Sequence, residues 1–188
     1  AHVVAGVHRQ RMRGRFHRHG FTHSRQMNVV LSDGRTLPAK VLAIDETHDL
    51  AALTVDANDL PTIEAGESRG LRPGQWVMAF GHPWGVRDSM TAGVVIGSGD
   101  NLPEMQPGRE WVALNLTLRP GHSGGPLVNT DGRLIGVNTM ISGPEVGFAV
   151  PVHVVKGFLK EALGGKNTPD EQEPGEDTPV HPEAITLV

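Results

Sequence analysis

Apolar segments of five to eleven residues, each closed off by glycine, proline or aspartate, recur from residue 27 to residue 150 of this chain. Packed helices need apolar periodicity sustained over ten or more residues, whereas runs this short between turn residues are the mark of strands. The punctuation is dense. The 24 glycines and 14 prolines make up about a fifth of the chain, above the usual share of about an eighth and below the quarter or more of low-complexity chains. A coiled coil or helical bundle is excluded and a turn-rich β domain is expected. At 188 residues the chain is long enough for about one domain.

The expected strands are 27–31, 35–44, 50–55, 76–80, 89–99, 111–117, 125–129, 133–141 and 146–150. Ser32-Asp33-Gly34 and Thr130-Asp131-Gly132 sit between apolar runs and read as hairpin turns. From Pro151 the period changes. Val154, Val155, Phe158, Leu159 and Leu163 fall at helical spacing, and Gly164-Gly165 supplies the stop. The predicted class is all-β, a sandwich or barrel with one short C-terminal helix.

Charge is segregated to the ends. Residues 8–25 hold six arginines and four histidines with no acid, and read as a basic insertion. His17, His19 and His23 resemble a transition-metal ligand set, but the arginines oppose a divalent cation and no carboxylate completes the site. An anionic partner suits the stretch better electrostatically, and a solvated insertion is the plain reading. Residues 165–188 carry six acids against Lys166 and four prolines, too little apolar content to offset ordering, so a disordered acidic tail is expected. With a net charge of −4, a globally basic nucleic-acid binder is excluded. With no cysteine, so are a disulfide scaffold, thiolate-ligated zinc and a cysteine nucleophile. No cofactor or metal is expected.

The chemistry concentrates at Gly121-His122-Ser123-Gly124-Gly125-Pro126-Leu127. A serine between glycines exposes its hydroxyl on a sharp turn and aims consecutive backbone N–H groups at one point, as oxyanion stabilisation requires. A serine nucleophile needs a histidine base and a carboxylate to orient that base. Upstream lie Ala1-His2-Val3-Val4 and His48-Asp49-Leu50-Ala51-Ala52-Leu53. The order His2, Asp49, Ser123 is that of chymotrypsin-type β-barrel proteases. Asp49 is preferred to Asp45 because it opens an apolar strand, whereas Asp45-Glu46 reads as an exposed turn. His48 is set aside because neighbours in a strand point to opposite faces.

Taken together, AHVV, LSDGRTLPAKVLAIDETHDLAAL, AFGHPWGVRDSMTAGVV, RPGHSGGPLVNTDGRLIGVNTMI and GFAVP resemble, in order and spacing, the protease domain of the HtrA (DegP/DegQ) family of trypsin-like serine endopeptidases. The resemblance implies a chymotrypsin-like double β-barrel over residues 1–164. The family's first barrel has strands ahead of its histidine, so that barrel is expected to be incomplete here. It further implies His2 as general base, Asp49 as its orienting acid and Ser123 as nucleophile. The N–H groups of Gly121 and Ser123 would form the oxyanion hole, with Leu118, Asn138 and Met140 near the primary specificity pocket. His122 stands where the family usually has asparagine. Unfolded or damaged polypeptides are the implied substrates, an extracytoplasmic compartment the implied setting and a homotrimer the implied assembly, with no nucleic acid. The alternative is a non-catalytic module that keeps the cleft and binds polypeptide without cutting it.

Overall fold

The computed structural model describes residues 2–7, 27–31, 33–58, 60–100, 102, 108–141, 145–164 and 184–185. The basic insertion at 8–25 and the acidic tail fall outside the described residues, apart from Ala184–Ile185. These two form a short strand within the stretch expected to be disordered.

Among the described residues, twelve strands and one α-helix follow in chain order: β1 (His2–Val7), β2 (Met27–Val30), β3 (Thr36–Asp45), β4 (Leu50–Val55), β5 (Ile63–Glu64), β6 (Trp76–Gly81), β7 (Ser89–Gly99), β8 (Trp111–Asn115), β9 (Pro126–Asn129), β10 (Leu134–Ile141), β11 (Val146–Pro151), α1 (Val152–Gly164) and β12 (Ala184–Ile185). Strands β6 to β11 close into a six-stranded antiparallel barrel, in the order β10-β11-β8-β7-β6-β9. Before it, among the described residues, β1-β4-β3-β2 form an open four-stranded sheet. The two-residue strands β5 and β12 pair with each other.

Side-chain alternation explains why β8, β10 and β11 are buried on both faces. Val112, Leu114, Ile135 and Ala149 point into the barrel and meet Val77, Ala79, Val95 and Leu127. Their neighbours Trp111, Ala113, Leu134, Val137, Phe148 and Val150 point outward into a second cluster. There they meet Leu50 and Ala52 of the open sheet and Val152, Val155 and Phe158 of the helix. That second cluster joins sheet, barrel and helix, and each fully buried aliphatic or aromatic side chain in it contributes about 1.5–3 kcal/mol. A third cluster, Val29, Leu31, Ala39, Val55 and Leu60, belongs to the open sheet.

The start of α1 is capped from a distant loop. Ser68 Oγ accepts the His153 backbone N–H at 3.1 Å and lies 2.8 Å from His153 Nδ1, while His153 Nε2 lies 2.9 Å from Glu110. An orphan N–H of the first helical turn is thereby satisfied.

Candidate active site

Ser123 lies in the connection from β8 to β9. Gly121 enters the turn with φ 106°, and a Cβ there would lie 2.4 Å from the His82 carbonyl oxygen. Only glycine fits both the backbone angle and the close approach. The His82 N–H donates to the Gly121 carbonyl at 2.8 Å, and a Cβ at Gly125 would lie 2.1 Å from the Phe80 carbonyl oxygen. The loop is thus seated on the end of β6, main chain against main chain. Ser123 itself is exposed at the surface of this turn.

Hydrogen bonding divides the loop's N–H groups into two sets. Those of His122, Gly124 and Gly125 donate to the carbonyls of Arg119, Asn138 and His122 at 3.0, 2.8 and 3.0 Å. Among the described residues, the N–H groups of Gly121 and Ser123 have no acceptor. His122 is 3% exposed, and its Nδ1 lies 3.1 Å from the Arg119 backbone nitrogen and 3.2 Å from the Arg119 carbonyl oxygen. Its Nε2 is buried with no partner among the described residues.

Ser123 Oγ donates to the Thr139 carbonyl at 2.8 Å. Thr139 is 2% exposed and is the extra residue of a β-bulge, since Asn138 pairs with Ala149 and Met140 with Phe148. A bulge re-aims the residue it adds. Here the Thr139 hydroxyl donates to Asp49 Oδ2 at 2.8 Å. One residue of the barrel thereby touches both the serine and a carboxylate of the open sheet.

Asp49 reaches Thr139 from the β3–β4 turn with a left-handed φ of 60°, a conformation that costs a non-glycine residue roughly 1 kcal/mol or more. The turn is held by Asp45. Its Oδ1 accepts the N–H groups of Thr47 and His48 at 2.8 and 3.1 Å, and its Oδ2 lies 2.7 Å from His48 Nδ1. Burial raises the Asp45 carboxyl, but hydrogen bonds from the His48 ring and the turn's N–H groups outweigh that and hold it below the ordinary aspartate range. Asp45, expected in an exposed turn, is instead the half-buried last residue of β3. His48 and Asp49 do diverge, His48 to Asp45 and Asp49 to Thr139.

His2 begins β1, which pairs with β4 in the register His2 to Val55 and Val7 to Leu50. The side chains of His2 and Met140 lie outside the described residues. Leu118 is 5% exposed and packs where a Cβ on Gly147 would meet its Cδ1 at 2.7 Å. Asn138 is fully buried, and its amide N–H groups donate to the Phe80 and Pro126 carbonyls, both at 3.2 Å. Among the described residues no cluster of histidine and carboxylate side chains is suited to a metal ion.

A second serine–histidine–acid chain, Ser68, His153 and Glu110, is of another kind. Ser68 is 3% exposed, out of a substrate's reach, and its oxygen already accepts the helix N–H of His153. It is a helix cap. An open depression of about 490 Å³ lies between the end of β3 and α1, lined by Asp45, Phe158 and Glu161 among others. Ser123 does not line it.

Sequence reasoning missed Thr139, because a bulge leaves no mark on an apolar run such as 134–141. Asp45 and His48 were weighed as alternatives and set aside, their mutual contact unforeseen, and the nearby turn Pro83–Gly85 was missed. There Trp84 has φ 53° and is 72% exposed. The Arg119 guanidinium lies over its ring, 4.9 Å from the centroid.

Residues 1–137 match the trypsin-like peptidase domain family. The serine protease HTRA2, mitochondrial, of Drosophila willistoni is 40% identical over 139 residues, 72% of this chain and 32% of that protein. Its counterpart from Drosophila pseudoobscura pseudoobscura is likewise 40% identical, with 33% of its length covered. The chain therefore spans about a third of the length of the curated relatives it matches. Among solved structures, the HtrA-type protease AlgW with a decapeptide superposes with a TM-score of 0.73 at 28% identity, over 87% of this chain and 49% of that one.

Proposed function

The chain belongs to the trypsin-like peptidase family, in its HtrA branch, and from that premise we propose a serine endopeptidase that cuts polypeptides through Ser123, His2 and Asp49. The observation that carries the assignment is the convergence of Ser123 and Asp49 on the single residue Thr139. His2 takes the Ser123 proton as the hydroxyl leaves the Thr139 carbonyl and attacks the substrate carbonyl. Asp49 holds the imidazole in the right tautomer and stabilises its cation. The Gly121 and Ser123 N–H groups, without an acceptor among the described residues, receive the oxyanion. The leaving amine takes the proton from His2, and water attacks the acyl-serine to restore the enzyme. Leu118, Asn138 and Met140 lie at the primary pocket in this reading.

Unfolded or damaged polypeptides are the proposed substrates, in a protein-quality-control role. The setting is extracytoplasmic, periplasmic or membrane-tethered, and the assembly is a homotrimer. The described helix is not long and apolar enough to cross a membrane. One observation favours a second reading, a polypeptide-binding module without hydrolysis: the Ser123 proton is directed at a main-chain carbonyl. Labelling with a fluorophosphonate, which requires an activated serine, separates the two. The protease labels at Ser123, and Ser123→Ala loses both labelling and, by roughly three orders of magnitude or more, casein hydrolysis. A wild-type protein that binds denatured casein but neither labels nor cuts is the binding module.

A further inference from the structure

Arg119 stands four residues before Ser123, and the His122 N–H to Arg119 carbonyl bond of 3.0 Å closes a turn between them. Such a turn keeps the first and fourth Cα atoms within about 7 Å, so the Arg119 side chain starts within a few peptide residues' reach of the serine. Its guanidinium does not wander free. It lies over the Trp84 ring, and Trp84 is itself held in the turn that follows His82, whose N–H donates to the Gly121 carbonyl. The shelf is therefore built onto the same main chain that seats the candidate nucleophile loop.

A guanidinium carries five N–H donors, and one placed 4.9 Å over a ring centroid cannot spend all of them on that ring. Among the described residues Arg119 makes no ion pair. Asp88, the nearest acid in sequence to Trp84, forms no ion pair with Arg119 among the described residues. An exposed, oriented guanidinium with unused donors presents a fork suited to a carboxylate. Trp84 meanwhile keeps a left-handed backbone and a largely exposed ring, features that core packing does not explain.

We propose that Trp84 and Arg119 form a specificity subsite that selects polypeptides carrying a glutamate or aspartate within a few residues of the bond presented to Ser123. This rests on Ser123 as the reacting group, and it adds a charge preference at a distance from the primary pocket assigned to Leu118, Asn138 and Met140. The side chain contacted belongs to the bound polypeptide, so the shelf alters affinity and leaves Ser123's own reactivity unchanged.

The experiment uses the full chain as Ser123→Ala, so that peptide is bound and not consumed. The probes are fluorescein-labelled decapeptides of one apolar sequence with a single Glu or Gln stepped through each position. At low salt one position shows a roughly fivefold tighter Kd for Glu than for Gln, the scale of an exposed ion pair. The preference shrinks at high salt and vanishes in Arg119→Gln. Trp84→Leu, which leaves the charge and frees the guanidinium, reduces it. Equal Kd values for Glu and Gln at every position overturn the subsite, as does a preference that survives Arg119→Gln, or peptides that fail to bind. Fluorophosphonate labelling of the wild-type serine reports on the protease separately. Labelling without a charge preference refutes the subsite alone, and absence of both labelling and binding refutes the protease reading with it.

Discussion

Thr139 performs two tasks with two different atoms, and substitution can separate them. Thr139→Val removes the hydroxyl that Asp49 accepts from and leaves the carbonyl that Ser123 donates to. The expected result is a stability loss of about 1 kcal/mol for one hydrogen bond and, under the proposed mechanism, a roughly tenfold slower reaction of Ser123 with a fluorophosphonate, because Asp49 as the proposed orienting acid loses a restraint. Thr139→Ser, which keeps the hydroxyl, restores the rate. A Thr139→Val protein as reactive as wild type would show that Asp49 is oriented without Thr139. Ser123 and Gly121 were legible as residues because their chemistry depends on type and local spacing. The bulge that turns Thr139 towards both was not, since it comes from a register shift between β10 and β11.

Among the elements, the β3–β4 hairpin has a strained corner. Its turn ends in Asp49 at φ 60° and is stabilised by three hydrogen bonds to one Asp45 carboxylate. Because Asp45 titrates below its ordinary value when folded, its contribution is complete above the unfolded aspartate pKa of about 3.9. It is lost as pH falls through the lower folded value. Urea midpoints between pH 6 and pH 2.5 should therefore fall less steeply for Asp45→Asn than for wild type, with the curves converging at the acid end. Parallel curves would mean the carboxylate contributes nothing to the fold. The hairpin's two strands were readable as apolar runs at 35–44 and 50–55, with Asp45-Glu46 read as a turn between them. Its left-handed corner was not, because aspartate adopts that conformation only when neighbours enforce it. The two-residue strands β5 and β12 were equally hidden, since two residues contain no period.

At the scale of the whole molecule, the closed barrel and the open sheet differ in kind. A barrel has no free edge, whereas β1 and β2 lie at the outer positions of the sheet. Hydrogen exchange should follow that difference. Amides of β8 and β11, flanked on both sides and buried on both faces, should exchange slowest, and those of β2 much faster. Equal protection in β2 and β8 would indicate a second strand layer over the sheet edge. The same division has a consequence for descent. The serine loop and its glycines belong to the barrel, while Asp49 comes from the turn of the other sheet and accepts the Thr139 hydroxyl. A lineage could lose the acid by a single substitution, or erode the open sheet, while the barrel that displays the serine and the Trp84–Arg119 shelf stayed folded. Under the proposed function, loss of hydrolysis would then require no loss of architecture, and a protease of this design would stand one mutation away from a peptide-holding relative.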